Sequence, residues 1–349
     1  MPKTSLMKAA VLHGIHDLRI EKRPIPKPKS GEALIRVRAV GVCGSEIHYY
    51  RDGRIGSVVV DRPVVPGHEF SGEVAALGPG VKGLTVGQRV AVEPGAACGE
   101  CEFCAQGKYH VCRHMRFCGM PGQDGAYCGY IAWPARLCHD LPANVSFGAG
   151  AMIEPAAVGF QAVKVAPIHL GGTALVIGCG SIGLVTIQAA LLSGASRVFA
   201  TDVLDCRLKV AKRLGAEAVF NPKRVDVVKK VMELTGGRGV DAAYEAFGSA
   251  ETFQQAIDAS KPGGSVGLIG IPSEDLLPLN LHDARRKETK IQLVRRFVHQ
   301  YPNVIAMLKA RKLSLDYLIT HRFPLERVED ALKLVQDYRD GVIKALVTM

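Results

Sequence analysis

What this 349-residue chain lacks narrows its class before anything it contains does. No stretch approaches the roughly 20 uninterrupted apolar residues of a membrane helix; the best candidate, Ala174 to Leu192, is broken by Gly178, Gly180, Ser181 and Gly183. Membrane spanning is therefore not expected. Met1 to Lys8 has no basic segment followed by an apolar core and a small-residue cleavage site, so nothing directs export and a cytoplasmic location is the expectation. The formal net charge is +11, yet no block of consecutive Lys and Arg accompanies it. That charge reads as a solvated surface attractive to anions, not as a nucleic-acid arm. Internal repeats and low-complexity tracts are also missing. Ten cysteines would suit a disulfide scaffold only in a small secreted chain, so metal binding or catalysis is expected of them.

What is there points to a folded protein of two domains. The hydrophobic share of 48% and charged share of 22% are ordinary for globular proteins, and the length suits two cores better than one. Through about residue 155 the sequence shows short alternating or apolar runs (Ala33 to Val37, Gly72 to Ala76, Arg89 to Val92) punctuated by Gly and Pro, an all-β texture. From Thr173 strand-like runs (Ala174 to Ile177, Val198 to Thr201, Val266 to Ile269) alternate with amphipathic stretches (Ile182 to Ser193, Cys206 to Leu214, Val225 to Thr235). This alternation implies βαβ units around a doubly wound parallel sheet, an α/β fold. Helical patterns follow over Tyr301 to Ala310 and Leu325 to Asp337, and the apolar run Lys344 to Thr348 is placed to return to the first domain.

A dinucleotide site is written into the second region. Strand Ala174 to Ile177 runs into Gly178-Cys179-Gly180-Ser181-Ile182-Gly183 and then a helix, so the glycines permit a tight turn and close approach of a pyrophosphate to the helix N-terminus. The next apolar strand ends at Asp202, roughly 20 residues beyond Gly183, where a carboxylate binds ribose hydroxyls and repels a 2′-phosphate. NAD is thus expected over NADP, with Arg207 the one nearby residue that argues the other way.

Two metal patterns precede it. Cys98, Cys101, Cys104 and Cys112 follow C-x2-C-x2-C-x7-C, a spacing that closes four thiolates around one tetrahedral zinc ion. An iron–sulfur cluster also takes four cysteines, but this spacing is not a ferredoxin one. The second pattern is dispersed: Cys43, His68, and one of Glu69 or Glu154 supply the three protein ligands of an open catalytic zinc site. Taken singly, Cys43 reads as packing and the His68-Glu69 pair as a surface polar pair.

Together these residues resemble the zinc-containing medium-chain dehydrogenase/reductase family, whose signature G-H-E-x2-G-x5-G-x2-V is met by Gly67, His68, Glu69, Gly72, Gly78 and Val81. The sequence looks most like the polyol (sorbitol/xylitol) dehydrogenases, through Val42 to Tyr50, Gly53 to Gly56, Val92 to Gly95, Ile153 to Pro155 and Thr320 to Pro324. The resemblance implies a GroES-like, mainly β catalytic domain over 1–156 and 295–349 and a Rossmann domain over 157–294. It also implies two zinc ions and NAD per chain, and a homotetramer or homodimer. In the polyol branch a glutamate stands at Glu154 where alcohol dehydrogenases have a cysteine ligand. By the same resemblance Ser45 accepts the proton of the substrate hydroxyl and passes it through the nicotinamide ribose to His48, while Arg296 binds substrate hydroxyls. Two departures touch this scheme: Glu46 replaces the family's usual Asp, and Arg295-Arg296-Phe297 stands where Phe-Arg-Tyr is common.

The implied activity is hydride transfer between a secondary hydroxyl of a polyol and NAD. An L-threonine 3-dehydrogenase or simple alcohol dehydrogenase shares both zinc patterns and differs in the pocket. A non-catalytic NAD(H)-binding protein is the reading from another class, but it has no need of an intact set of Cys43, Ser45, His48, His68, Glu69 and Glu154.

Overall fold

The computed structural model describes residues 5–349. Met1 to Thr4 lie outside the described residues, and the reading of the N-terminus falls in part on them. The chain forms two compact units, one ending at Glu154 and resuming from Tyr301 to Met349, the other Pro155–Gln300.

The first unit is organised by strand Glu32–Gly41, whose alternating apolar residues Ala33, Ile35 and Val37 are buried. It pairs antiparallel with Glu69–Leu77, with Tyr130–Pro134 and with the last strand, Lys344–Thr348. Arg89–Val92 and Cys138–Asp140 extend the sheet on one side, and Ile319–Pro324 runs parallel to the last strand on the other. A hairpin, Leu6–Gly14 with Asp17–Pro24, packs its buried residues Ala9 to Leu12 into the same core as Phe70, Val90, Trp133 and Val347. The register puts Gly41 opposite Glu69 on one neighbour and opposite Leu346 on the other. Residues far apart in sequence therefore meet at the end of one strand.

The all-β reading of this region needs correction, because it also contains helices at Gly44–Asp52, Glu102–Ala105 and Phe147–Ala151. Gly44–Asp52 is too short to show a clear helical period, and its signals lie at its ends. Glu46 reaches back to the Cys43 N–H at 3.1 Å, as a third-position glutamate does in a capping box, and Gly53 ends the helix in the left-handed region at φ 70°. Ile47, Tyr49 and Tyr50 bury the inner face.

In the second unit all sheet pairings are parallel, in the order Ala218–Phe220, Arg197–Thr201, Thr173–Ile177, Val240–Glu245, Ser260–Leu268, Lys290–Leu293. The chain leaves Thr173–Ile177 to build outward on one side, then returns to build on the other. Such a reversal opens a crevice at the carboxyl ends of the central strands, where α/β folds bind nucleotides. Gly178, Asp202 and Ala246 all follow directly on strands that end there.

Candidate active site and metal centres

Ligand atoms of Cys43, His68 and Glu69 lie within 4.8 Å of one another. Cys43 precedes the first turn of helix Gly44–Asp52, and Glu69 opens the strand paired with Gly41. His68 and Glu69 are buried, Cys43 partly so. One carboxylate oxygen, Glu69 Oε1, accepts from Lys344 Nζ at 2.8 Å; the other, Oε2, is buried with no hydrogen-bond partner. A buried anionic oxygen left without a donor costs several kcal/mol unless something else satisfies it, and here it stands beside a thiol and an imidazole. Thiol sulfur, imidazole nitrogen and carboxylate oxygen form a donor set that fits zinc and leaves a tetrahedral ion one exchangeable position. Glu154 is buried at the start of helix Ile153–Val165 but is not within this set.

Around the three donors lies a shell of which the sequence had marked only Glu46. Glu46 Oε1 sits 3.1 Å from His68 Nδ1, a close ion-pair contact without hydrogen-bond alignment, while its Oε2 accepts from the Cys43 N–H and the Tyr127 hydroxyl. Burial alone would lower the pKa of His68, but Cys43 and Glu46 outweigh it and hold it well above the ordinary imidazole value. Such a proton, held between imidazole and thiol, is what a metal ion displaces on binding. Tyr301 donates to the Val92 carbonyl, and burial, then the fields of Glu154, Glu93 and Glu69, raise its pKa. Gly41 is required here, because a Cβ at that position would collide with Glu69 Oε2 and the Met152 side chain. Lys344, Tyr127 and Gly41 carry no motif. A lysine heading the apolar run Lys344 to Thr348 was the one available signal, and it reads equally as a solvated strand end.

Ser45 and His48 lie three residues apart on helix Gly44–Asp52, hence on neighbouring positions of one face. His48 Nδ1 is 3.1 Å from Asp52 Oδ2, so the ring donates Nδ1–H to the carboxylate. Asp52 is held at a pKa of about 2, chiefly by Arg51, with burial opposing and His48 assisting.

The four sulfurs of Cys98, Cys101, Cys104 and Cys112 approach one another at 3.5 to 3.9 Å. A tetrahedral ion with zinc–sulfur bonds of about 2.3 Å requires sulfur–sulfur edges of about 3.8 Å. Backbone N–H groups of Cys98, Cys101 and His114 point at the sulfurs, and the short antiparallel strands Gly95–Ala96 and Arg116–Phe117 flank the loop. The Cys101 thiol is drawn down to about 6, first by the Cys104 N–H, whereas burial pushes Cys104 up to about 12. All ten cysteines are free thiols among the described residues.

In the second unit Gly178 is left-handed at φ 91°, helix Ser181–Leu192 begins behind it, and a Cβ at Gly183 would meet the Gly178 carbonyl oxygen. By contrast, the space beside Gly180 is open, with nothing nearer a Cβ than Arg207 Nη1 at 3.9 Å. That opening at a helix N-terminus, within the motif that includes Ile182, fits a pyrophosphate. Asp202 is buried and accepts from the N–H groups of Cys179 (2.7 Å) and Leu204 (2.8 Å), which aims its carboxylate at the rim of the glycine turn. Arg207 Nη1 lies 4.0 Å from Asp202 Oδ2, so the two opposing cofactor signals sit side by side. Glu245, also missed, binds the N–H groups of Phe247 and Gly248 and shapes the loop that abuts Gly178. Arg296 lies beyond strand Lys290–Leu293 in a left-handed backbone position, φ 54°.

Comparison with known proteins agrees with this construction. Residues 29–143 match the alcohol dehydrogenase GroES-like domain and residues 181–310 the zinc-binding dehydrogenase family. A sorbitol dehydrogenase of Bacillus subtilis is 37% identical over 98% of this chain and 97% of its own length. Among solved structures, a 2R,3R-butanediol dehydrogenase from Bacillus subtilis superposes with a TM-score of 0.90 at 34% identity, covering 98% of this chain and 99% of its own. An alcohol dehydrogenase from E. coli complexed with NADH gives 0.91 at 30% identity, covering 99% of this chain and 100% of its own. With its two metal patterns and glycine turn in place, the chain belongs to the zinc-containing medium-chain dehydrogenases, in the branch of the sorbitol dehydrogenases.

Proposed function

We propose that this enzyme oxidises a secondary hydroxyl of a sugar alcohol such as sorbitol or xylitol with NAD, and reduces the corresponding ketose in reverse. The observation that carries the reading is the mixed donor set Cys43, His68 and Glu69, with its one unsatisfied carboxylate oxygen. These three residues would hold the catalytic zinc, and Cys98, Cys101, Cys104 and Cys112 a structural one. When bound, zinc supplies a Lewis acid that lowers the pKa of the substrate hydroxyl, and NAD supplies the hydride acceptor.

The chain's own residues manage the proton. Ser45 accepts it at Oγ, and His48 offers Nε2 as the next acceptor because Asp52 keeps Nδ1 protonated. Asp202 binds the adenosine ribose and Gly178, Gly180, Ile182 and Gly183 shape the pyrophosphate turn, with Arg207 beside them. Glu154 adds a second buried carboxylate without serving as ligand, and Arg296 binds substrate hydroxyls. Ten cysteines without a disulfide between them support a reducing, cytoplasmic setting. Strand Lys290–Leu293, an edge with all four residues exposed, supports a homo-oligomer.

The test is turnover of zinc-replete protein with sorbitol, xylitol, L-iditol, threonine and 2,3-butanediol, followed by nicotinamide absorbance with NAD and with NADP. Polyol turnover that is lost in Cys43→Ala is the expected result. Preference for butanediol would move the chain to the diol dehydrogenases, one of which is 34% identical to it. Binding of NADH with no turnover at all would overturn the enzymatic reading.

A further inference from the structure

Lys344 heads the last strand, 275 residues from Glu69 in sequence, yet its ammonium is buried in the candidate zinc site. It donates to Glu69 Oε1 and to the carbonyl of Val42, the residue before Cys43, both at 2.8 Å. A buried lysine is costly unless fully paired, and this one is paired so as to divide the Glu69 carboxylate in two. One oxygen is committed to Lys344. The other, Oε2, has no hydrogen-bond partner and rests in the space left by Gly41.

Resting on the reading that Cys43, His68 and Glu69 bind the metal, we propose that Lys344 is a positioning residue that lets Glu69 offer the ion a single oxygen. Carboxylates bind metals through one or two oxygens. With Oε1 withheld, Glu69 fills one coordination position and the fourth stays open for the substrate oxygen. With Oε1 released, the carboxylate spans two positions and competes with the substrate for the open one. The grip on Val42 carries the same constraint to the backbone that presents Cys43.

Two substitutions separate this role from a merely structural one, because they act in opposite directions. Lys344→Met frees Oε1 and removes a positive charge, so the metal is held at least as tightly while the open position closes. In protein with cobalt at the Cys43 site, the change in the visible spectrum on adding azide, which needs the open position, then falls severalfold, and KM rises more than kcat falls. Lys344→Arg keeps the charge but presents a planar fork that takes both carboxylate oxygens. Zinc affinity at this site, measured by chelator competition, then falls about tenfold or more, the range seen when groups supporting metal ligands are altered. Metal retained at the four-cysteine loop reports folding, and if the Met variant fails that check the Arg variant carries the test alone.

An azide-induced change of the cobalt spectrum that is undiminished in folded Lys344→Met, or zinc affinity unchanged in Lys344→Arg, overturns the proposal and leaves the enzymatic reading standing. If the parent protein binds one metal per chain and Cys43→Ala does not change that number, the metal reading beneath the proposal fails first, and the proposal with it.

Discussion

Tyr127 donates its hydroxyl to Glu46 at 2.6 Å, joining the segment before strand Tyr130–Pro134 to the first turn of the helix that carries Ser45 and His48. The same Glu46 oxygen accepts the N–H of Cys43, and its other oxygen faces His68. Glu46 thus fixes the imidazole and the backbone of the cysteine together. Tyr127→Phe removes one donor from this buried carboxylate, for which a cost of about 1–3 kcal/mol is expected. A correspondingly lower denaturant midpoint and weaker zinc binding at the Cys43 site should appear together. A Phe variant with parental values for both would show that Glu46 is held by its remaining contacts alone.

The four-cysteine loop should carry stability and not chemistry. Cys112→Ser is expected to release one metal per chain and lower Tm, with kcat changed far less than by Cys43→Ala. Metal analysis alongside steady-state assay checks this. In the metal-free loop the Cys101 thiol lies near 6, below the ordinary thiol value of about 8.5. A depressed acid stabilises the folded loop fully above the unfolded value and loses that contribution as pH falls through the folded one. Protection of the metal-free loop from proteolysis should therefore weaken from about pH 8.5 down through about pH 6.

Asp202 holds both the glycine turn and, in the proposed role, the ribose. Asp202→Asn keeps an acceptor oxygen for one of its two backbone donors but removes the negative charge. NADP should gain on NAD, with the ratio of kcat/KM values shifting by about tenfold toward NADP, a change of about 1.4 kcal/mol. Arg207 at 4.0 Å is the group that would receive a 2′-phosphate. An unaltered ratio would assign cofactor choice elsewhere.

The glycines of the cofactor turn should divide by function. Gly180→Ala puts a methyl into open space, so Tm should hold while NADH affinity, followed by fluorescence titration, drops. Gly183→Ala drives a Cβ into the Gly178 carbonyl, so overpacking of about 1–3 kcal/mol is expected in the protein without cofactor. Equal effects of the two on Tm would contradict this division.

Sequence alone determined whatever depends on local order. The thiolate spacing from Cys98 to Cys112, the glycine turn with Asp202, and the change from β texture to βαβ alternation are short-range patterns, because the physics behind each acts over one loop or one supersecondary unit. Helix Gly44–Asp52 was missed even so, since nine residues hold too few turns to show a period and its cues are capping contacts.

Tertiary structure decided the rest. Which glutamate joins Cys43 and His68 depends on the register that sets Gly41 opposite Glu69. Lys344 reaches that carboxylate because the last strand pairs with Glu32–Gly41, setting Leu346 against Gly41. Burial then turns these placements into chemistry: away from water, one unpartnered oxygen on Glu69 and one committed ammonium on Lys344 are worth far more than either residue reads in sequence.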